Sequence, residues 1–468
     1  MIQFGTGGFR GIIADDFCKT TVKLITQAVA NIIHQEGSEK IVYVGYDFRF
    51  ASDEAAIWIS NTLAANGIHV VLSDQPTPTP TVMSACKAHH ADFGFMVTAS
   101  HNPYWYNGVK LFQKDGMDAD VVLTTRLEKE IASLSSFKTM DFAEAKEKKL
   151  IVLENILDPY LANILTFLKP STPKKQIHLL LDPIHGTGAV TLKRLCQSMG
   201  IKNTDILHES HDAFFGYRIP NPIKANMMED ADLVRNGHYD LCIGTDSDCD
   251  RIAVLDENGN YVDANEILGV LYYYLIRYRG EKGDIIKNLA TSNLIDALAK
   301  KLGYQCHEVD VGFKNISQGM KDYDALLGGE SSGGLTMRGY LFGKDSTFAS
   351  ALFLEMIEQI GKPVSAILNE MKEFACFHQI IQEDSVIFKD RTKVFDYAKT
   401  HLPAFPQSGV TRKPITNNFK YYFANGDWAL LRFSGTEPLV RLFAETASEA
   451  DGKEDIQAIR QMILEAEK

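Results

Sequence analysis

The chain has no run of 18 apolar residues, so no membrane-spanning helix is expected. It has no excess of basic charge either. Against 48 Lys and Arg stand 60 Asp and Glu, a formal net charge of −12 at pH 7. That balance argues against a generic nucleic-acid binder and against a chain that clings to anionic membranes. Cysteine is sparse: the seven, at 18, 86, 196, 242, 249, 306 and 376, are scattered and never spaced as CxxC. Structural thiols in a reduced, cytoplasmic protein are the expectation. The opening Met-Ile-Gln-Phe-Gly-Thr-Gly-Gly has no charged region followed by an apolar one, so no secretory signal is expected. A GxxxxGK-Ser/Thr loop is absent, which speaks against a Walker-type ATPase, and GxSxG is absent too. Gly186-Thr-Gly188 follows an apolar run, but Thr191 stands where a dinucleotide fingerprint needs its third glycine.

What is present is length and repetition. At 468 residues the chain exceeds what one hydrophobic core supports, so about three or four domains are expected. One unit returns three times. Ile41–Tyr46 reads as a strand, a helix follows from Ser52 as its cap to a stop at Gly67, then come a strand at 69–72, a helix near 82–88 and a strand at 93–97. The same order recurs with strands at 177–181, 204–207 and 241–244, and again at 285–288, 306–309 and 325–327. Gly200 and Gly303 stop the corresponding helices. Such alternation predicts mostly parallel sheets covered on both faces. Residues 133–150 read as a solvated helix or linker. After about 374 the pattern changes to strands at 386–388, 428–433 and 440–444, the last two as an antiparallel pair. A closing helix places Ile456, Ile459 and Ile463 on one face.

The last strand of each pass starts behind an aspartate (Asp92, Asp240, Asp324) and runs into a polar loop. Ligands of open α/β sheets bind at the carboxyl ends of strands, so three such loops are expected to face one cleft. In the second loop Asp246, Asp248 and Asp250 alternate along the chain and can converge on a hard divalent cation, with a solvated acidic turn as the alternative. An EF-hand fails because Arg251 occupies the position of its obligatory glycine, although Glu257 falls at the twelfth. Arg251 suggests an anion beside the metal. In the first loop, Thr98-Ala-Ser-His-Asn-Pro103, Ser100 is either a nucleophile or part of a Ser/Asn turn. Lys110 follows within reach. In the third, Gly329-Glu-Ser-Ser-Gly-Gly334, Glu330 can accept from a sugar diol or simply belong to a mobile turn. Near the C-terminus Arg432-Phe-Ser-Gly-Thr-Glu-Pro438 and Arg441 match a phosphate, or a hairpin with rim arginines.

Together with Gly5-Thr-Gly-Gly-Phe-Arg10, these segments resemble the α-D-phosphohexomutase family, phosphoglucomutases and phosphomannomutases, along the whole chain. The resemblance implies an α/β fold of three similar mixed-sheet α/β/α domains and a smaller C-terminal α+β domain around a central cleft, here 1–152, 153–257, 258–374 and 375–468. It implies that Ser100 carries a phosphoryl group, and that Asp246, Asp248 and Asp250 hold one Mg²⁺ per chain with an oxygen from Ser100 as a further ligand. Glu330 and Ser332 would meet the sugar. Arg432, Ser434, Gly435, Thr436 and Arg441 would grip the non-reacting phosphate, with Arg10, His101, Lys110, Arg251 and Lys314 around the substrate. Lys110 is the first candidate base, given a pKa depressed by neighbouring cations, with Arg10, His101 and Lys314 behind it. The reaction implied is interconversion of glucose 1-phosphate and glucose 6-phosphate through a hexose 1,6-bisphosphate, which also serves as activator. Between Glu330 and Ser332 stands Ser331, where mannose-capable members often carry Met and glucosamine members Gln, so phosphomannomutase and phosphoglucosamine mutase stay open. A metal-dependent sugar phosphatase and a non-catalytic sugar-phosphate sensor are the rivals from other classes. Expected partners are small hexose phosphates, without nucleic acid or membrane, for a monomer or homodimer.

Overall fold

The computed structural model describes residues 2–5, 8–37, 40–169, 173–415, 418–434 and 439–468. Four sheets organise them. In the first, Ile41–Tyr46 pairs in parallel with His69–Ser73 on one side and Phe93–Val97 on the other. The second sheet repeats this with His178–Asp182, Asn203–Ile206 and Leu241–Thr245. The third does so with Ile285–Asn288, Cys306–Val309 and Leu327–Gly329. The triplication read from hydrophobic runs is therefore a real repeat of topology.

Each sheet also has a strand that turns back antiparallel after the polar loop: Tyr106–Gln113, Ile252–Asp256 and Leu335–Met337. These hairpins make the sheets mixed, as the family resemblance implies, while parallel pairings stay in the majority across the three, and the first hairpin carries Lys110. The aspartates that start the last strands act on their neighbours. Asp92 accepts from Ile41 N at 3.0 Å and Asp240 from His178 N at 2.8 Å, so each carboxylate satisfies the first free N–H of the adjoining strand. Asp324 instead accepts from Arg338.

Local signals hold with one exception. Gly200 and Gly303 end their helices at φ +81° and +85°, a backbone that β-carbon-bearing residues avoid. Ser52, by contrast, does not cap. Ala51 occupies that position, and the Ser52 hydroxyl donates to Asp47 Oδ1 at 2.8 Å. Within 133–150 a single short helix, Phe142–Glu147, leads to Ile151–Glu154, which extends the first sheet parallel to His69–Ser73. The second sheet ends with Tyr261–Val262, beyond residue 257.

The fourth sheet is antiparallel throughout, in the order Ile380–Ile387, Leu439–Thr446, Trp428–Phe433, Asn418–Tyr422 and Thr411–Ile415. The closing helix Glu449–Ala466 buries Ile456, Ile459 and Ile463 against it. One large apolar cluster runs through the first three units. The fourth has its own core and meets the third through a smaller patch of Leu289, Ala290, Trp428, Leu430 and Phe443. Among the described residues no helix is long and apolar enough to cross a membrane.

Candidate active site

The site starts where Phe93–Val97 ends. Ser100 is fully buried and has a left-handed backbone, φ +50°. Its Oγ donates to Asp246 Oδ2 at 2.8 Å, so the first two loops meet across the domain boundary. His101 Nδ1 lies 3.4 Å from the same Oγ. Burial, then Arg251 and Arg10, hold the His101 imidazole well below its usual pKa, so it is neutral. Arg10, on Phe9–Ile12, donates to Asn102 Oδ1 at 2.6 Å. Burial and then Arg251 lower its pKa, opposed by Asp248, Asp250 and Asp246.

Asp246, Asp248 and Asp250 each bring an oxygen to within 4.8 Å of the others. All three are buried, and Asp248 Oδ1 and Asp250 Oδ1 have no hydrogen-bond partner among the described residues. Orphaned carboxylate oxygens inside a protein are costly unless a cation completes them, and an all-oxygen set suits Mg²⁺. Burial, then Asp250 and Asp248, push the Asp246 carboxyl up to about 8. The residues present therefore fit the ion that the sequence resemblance implies.

Lys110 donates to Asp248 Oδ2 at 2.6 Å and Asp250 Oδ2 at 2.7 Å. Burial is the largest single influence and lowers its pKa, but Asp248 and Asp250 together outweigh it, and the net shift is upward. The depressed pKa expected for a base is thus not what this arrangement produces: in it the Lys110 amine keeps its proton. Arg251 Nε stands 4.0 Å from Asp246 and 3.9 Å from Asp250.

The third loop closes against the second. Ile252 N donates to Gly333 O at 3.2 Å, and a β-carbon on Gly333 (φ +92°) would lie 2.7 Å from Ile252 O, so only glycine fits this approach. Ser332 donates to Glu330 Oε1 at 2.7 Å, and Asn288 to Glu330 Oε2 at 3.3 Å. Arg432, from the fourth unit, has its pKa lowered by burial and raised in part by Glu330, so its guanidinium and that carboxylate feel one another across the cleft. Arg441 is paired with Glu383 at 2.9 Å on the outer rim. Ser434 O accepts from Arg391 at 3.1 Å, while Gly435 and Thr436 lie outside the described residues. Lys314 lines a cavity of about 490 Å³ between the first and third units, and Asp118 on the same cavity feels the charges of Lys344, Lys110, Asp250 and Glu330, so the cavity adjoins the site.

Several groups at this site escaped the sequence reading. Lys344 Nζ reaches Asp250 Oδ2 at 3.1 Å, and Thr79 Oγ1 donates to Asp248 Oδ2 at 2.5 Å. Asp47 and Arg49 lie just past Tyr46, at the carboxyl end of a strand, and the rule that singled out the three loops applies to them equally. Nothing in the local sequence marks Lys344 or Thr79.

Beside the aspartate loop, Asp182 accepts from His208 Nδ1 at 2.9 Å and hydrogen-bonds to Asp230, so one of the two carboxyls keeps a proton. Burial, then Asp182, push Asp230 up to about 8. A folded-state pKa above the ordinary carboxylate value stabilises the fold fully below about 4 and progressively less as pH rises through about 8. Asp230→Asn, which keeps a donor without titrating, is expected to match the wild-type Tm near pH 4 and to exceed it increasingly toward pH 9. Equal values at both pH would count against the shared proton.

Family models match along most of the chain. Phosphoglucomutase/phosphomannomutase alpha/beta/alpha domain I covers residues 1–138, domain II 158–259, domain III 263–374 and the C-terminal domain 383–465. The chain belongs to this family. Its members are phosphohexomutases, isomerases that move a phosphoryl group within a sugar phosphate. Among relatives, a phosphoglucomutase/phosphomannomutase of Thermococcus kodakarensis is 28% identical over 99% of this chain and 98% of that one. A phosphopentomutase of the same organism is also 28% identical, over the whole of both chains. A phosphoglucosamine/phosphogalactosamine mutase of Sulfurisphaera tokodaii is 27% identical over 95% of each. In structure, a family protein from Burkholderia thailandensis superposes with a TM-score of 0.82 at 20% identity, covering 98% of this chain and 97% of that one. The N-acetylphosphoglucosamine mutase of Aspergillus fumigatus, solved with GlcNAc-6P and magnesium, gives 0.58 at 15%, covering 100% and 96%.

Proposed function

We propose that this phosphohexomutase carries its phosphoryl group on Ser100 and interconverts hexose 1-phosphates and 6-phosphates through a bisphosphate. The observation that carries the reading is the contact of Ser100 Oγ with Asp246 at 2.8 Å inside a ring of Arg10, Lys110, Arg251 and Lys344, because a phosphoryl group on Ser100 lands among cations. Phosphoserine donates to the free hydroxyl of a hexose monophosphate. The O–P bond at Ser100 breaks as the new ester forms, and the resulting bisphosphate returns its other phosphoryl group to Ser100. The hydroxyl proton needs an unprotonated acceptor, and of the basic groups beside Ser100 the neutral one is His101. Mg²⁺ at Asp246, Asp248 and Asp250, when bound, offsets charge on the transferring oxygens. Glu330 and Ser332 hold sugar hydroxyls, and Arg432, Ser434 and Arg441 hold the phosphate that is not reacting. Lys314 reaches substrate from the wall between the first and third units.

Glucose phosphate is the first substrate to test. The glucosamine, mannose and pentose names of the relatives put those sugars level with it. A panel of glucose, mannose, glucosamine, N-acetylglucosamine and ribose 1-phosphates, with Mg²⁺ and a trace of the matching bisphosphate, is expected to give the 6-phosphate (5-phosphate for ribose) of at least one sugar. Release of inorganic phosphate from all of them with no isomer formed would replace this reading by a metal-dependent phosphatase.

A further inference from the structure

Three buried polar side chains, Asp47, Arg49 and Ser247, meet beneath the nucleophile loop and have no part in the chemistry assigned above. The Arg49 guanidinium gathers the carbonyls of that loop. Nη1 donates to Pro103 O at 2.9 Å and Tyr106 O at 3.0 Å, and Nη2 to Asn102 O at 2.6 Å and to Ser100 O. Ser247, between two of the metal-site aspartates, donates its hydroxyl to the same Ser100 O at 2.5 Å. Asp47 ties the group together. It accepts from Thr98 Oγ1 at 2.6 Å, Ser52 Oγ at 2.8 Å and Arg49 N at 3.0 Å, and its Oδ2 lies 3.4 Å from Arg49 Nε. The Phe215 ring, from the second unit, stacks 4.9 Å from the Arg49 guanidinium carbon.

Ser100 has a disfavoured left-handed backbone, and such a conformation persists only where its surroundings determine it. Here two donors from two different domains hold its carbonyl. We propose that Asp47, Arg49 and Ser247 are positioning residues. They clamp the Ser100 carbonyl so that its Oγ faces Asp246, and they couple the placement of the nucleophile to that of the metal loop. Ser247 belongs to the metal loop, so a shift of that loop pulls directly on Ser100. The planar fork of arginine is needed because a lysine ammonium on a flexible stem cannot hold four carbonyls in one plane. The inference rests on the reading of Ser100 as phosphoryl carrier.

The test uses the full chain and whichever hexose 1-phosphate the panel turns over. Arg49→Lys is expected to lower kcat about 10²-fold, the scale of a misplacement of about 1 Å, and Ser247→Ala about 10-fold, both with KM little changed. A purely structural role would lower Tm and leave kcat per folded molecule where it was. If Arg49→Lys does not fold, Ser247→Ala decides. Folded variants with wild-type kcat overturn the clamp. Ser100→Ala, measured alongside, separates the two ideas. If Ser100→Ala is active, the carrier reading fails. If it is inactive while the clamp variants are at full rate, only the clamp fails.

Discussion

Ser100→Ala is expected to lower turnover of the best hexose phosphate by at least about 10⁴-fold, or roughly 5 kcal/mol in barrier, the scale seen when a covalent nucleophile is deleted. What remains would be binding without a phosphoryl carrier. The fold should survive. Alanine keeps the β-carbon, meets the same left-handed backbone and loses the hydrogen bond to Asp246, worth about 1 kcal/mol, with the longer contact to His101. Near-wild-type Tm with lost activity therefore separates chemistry from stability. Intact-mass measurement supplies an independent check: protein isolated from cells should show a species about 80 Da heavier, and Ser100→Ala should lack it. A Ser100→Ala enzyme at full rate, or an equal mass increment on both proteins, would place the carrier elsewhere. The burial of Ser100 fits its proposed role, because a phosphoserine open to water would hydrolyse between turnovers.

How much of this could be read from the chain alone follows from the range of each interaction. The alternating strands, the stops at Gly200 and Gly303 and the three polar loops are set within a few residues, and they stand where the sequence places them. The aspartate triad is legible for the same reason, since the alternation of carboxylates within one loop already brings them together. Partners far apart in sequence were out of reach. Thr79 meets Asp248 across 169 positions and Lys110 meets Asp250 across 140. Ser52 shows how tertiary context overrides a local rule. A serine at a helix start reads as a cap, but the buried Asp47 carboxylate claims its hydroxyl. Lys110 shows the same for charge. Its basic neighbours in the family pattern suggested a lowered pKa, whereas the hairpin strand Tyr106–Gln113 delivers it between two carboxylates.

Removing the divalent cation is expected to cost about as much as losing a principal transition-state contact, roughly 10²–10³-fold in kcat, with recovery on adding Mg²⁺. The electrostatics of the loop predict how that recovery depends on pH. Without the cation, burial and then Asp250 and Asp248 hold Asp246 up to about 8, so at neutral pH that carboxyl is largely protonated. A ligating carboxylate must release its proton, so binding the ion expels one. The Mg²⁺ concentration giving half-maximal activity should therefore fall about tenfold per unit as pH rises from 6 toward 8, and level off above it. Thermal stability should follow, with Mg²⁺ at 100 times its Kd adding about 2.7 kcal/mol at pH 8 and the same total concentration adding less at pH 6. Asp248→Asn should keep both trends but move their levelling-off to lower pH, because the titrating group is Asp246 and the Asp248 charge is one of the influences that raise it. It should weaken Mg²⁺ binding at every pH by removing a charged ligand while leaving Lys110 paired with Asp250. A Mg²⁺ requirement independent of pH would mean that Asp246 is already ionised at pH 6, and full activity after exhaustive chelation would mean that the three carboxylates do not hold an essential ion. The cations around them, Arg10, Lys110, Lys344 and Arg251, would then be the counter-charge for a phosphoryl group at Ser100.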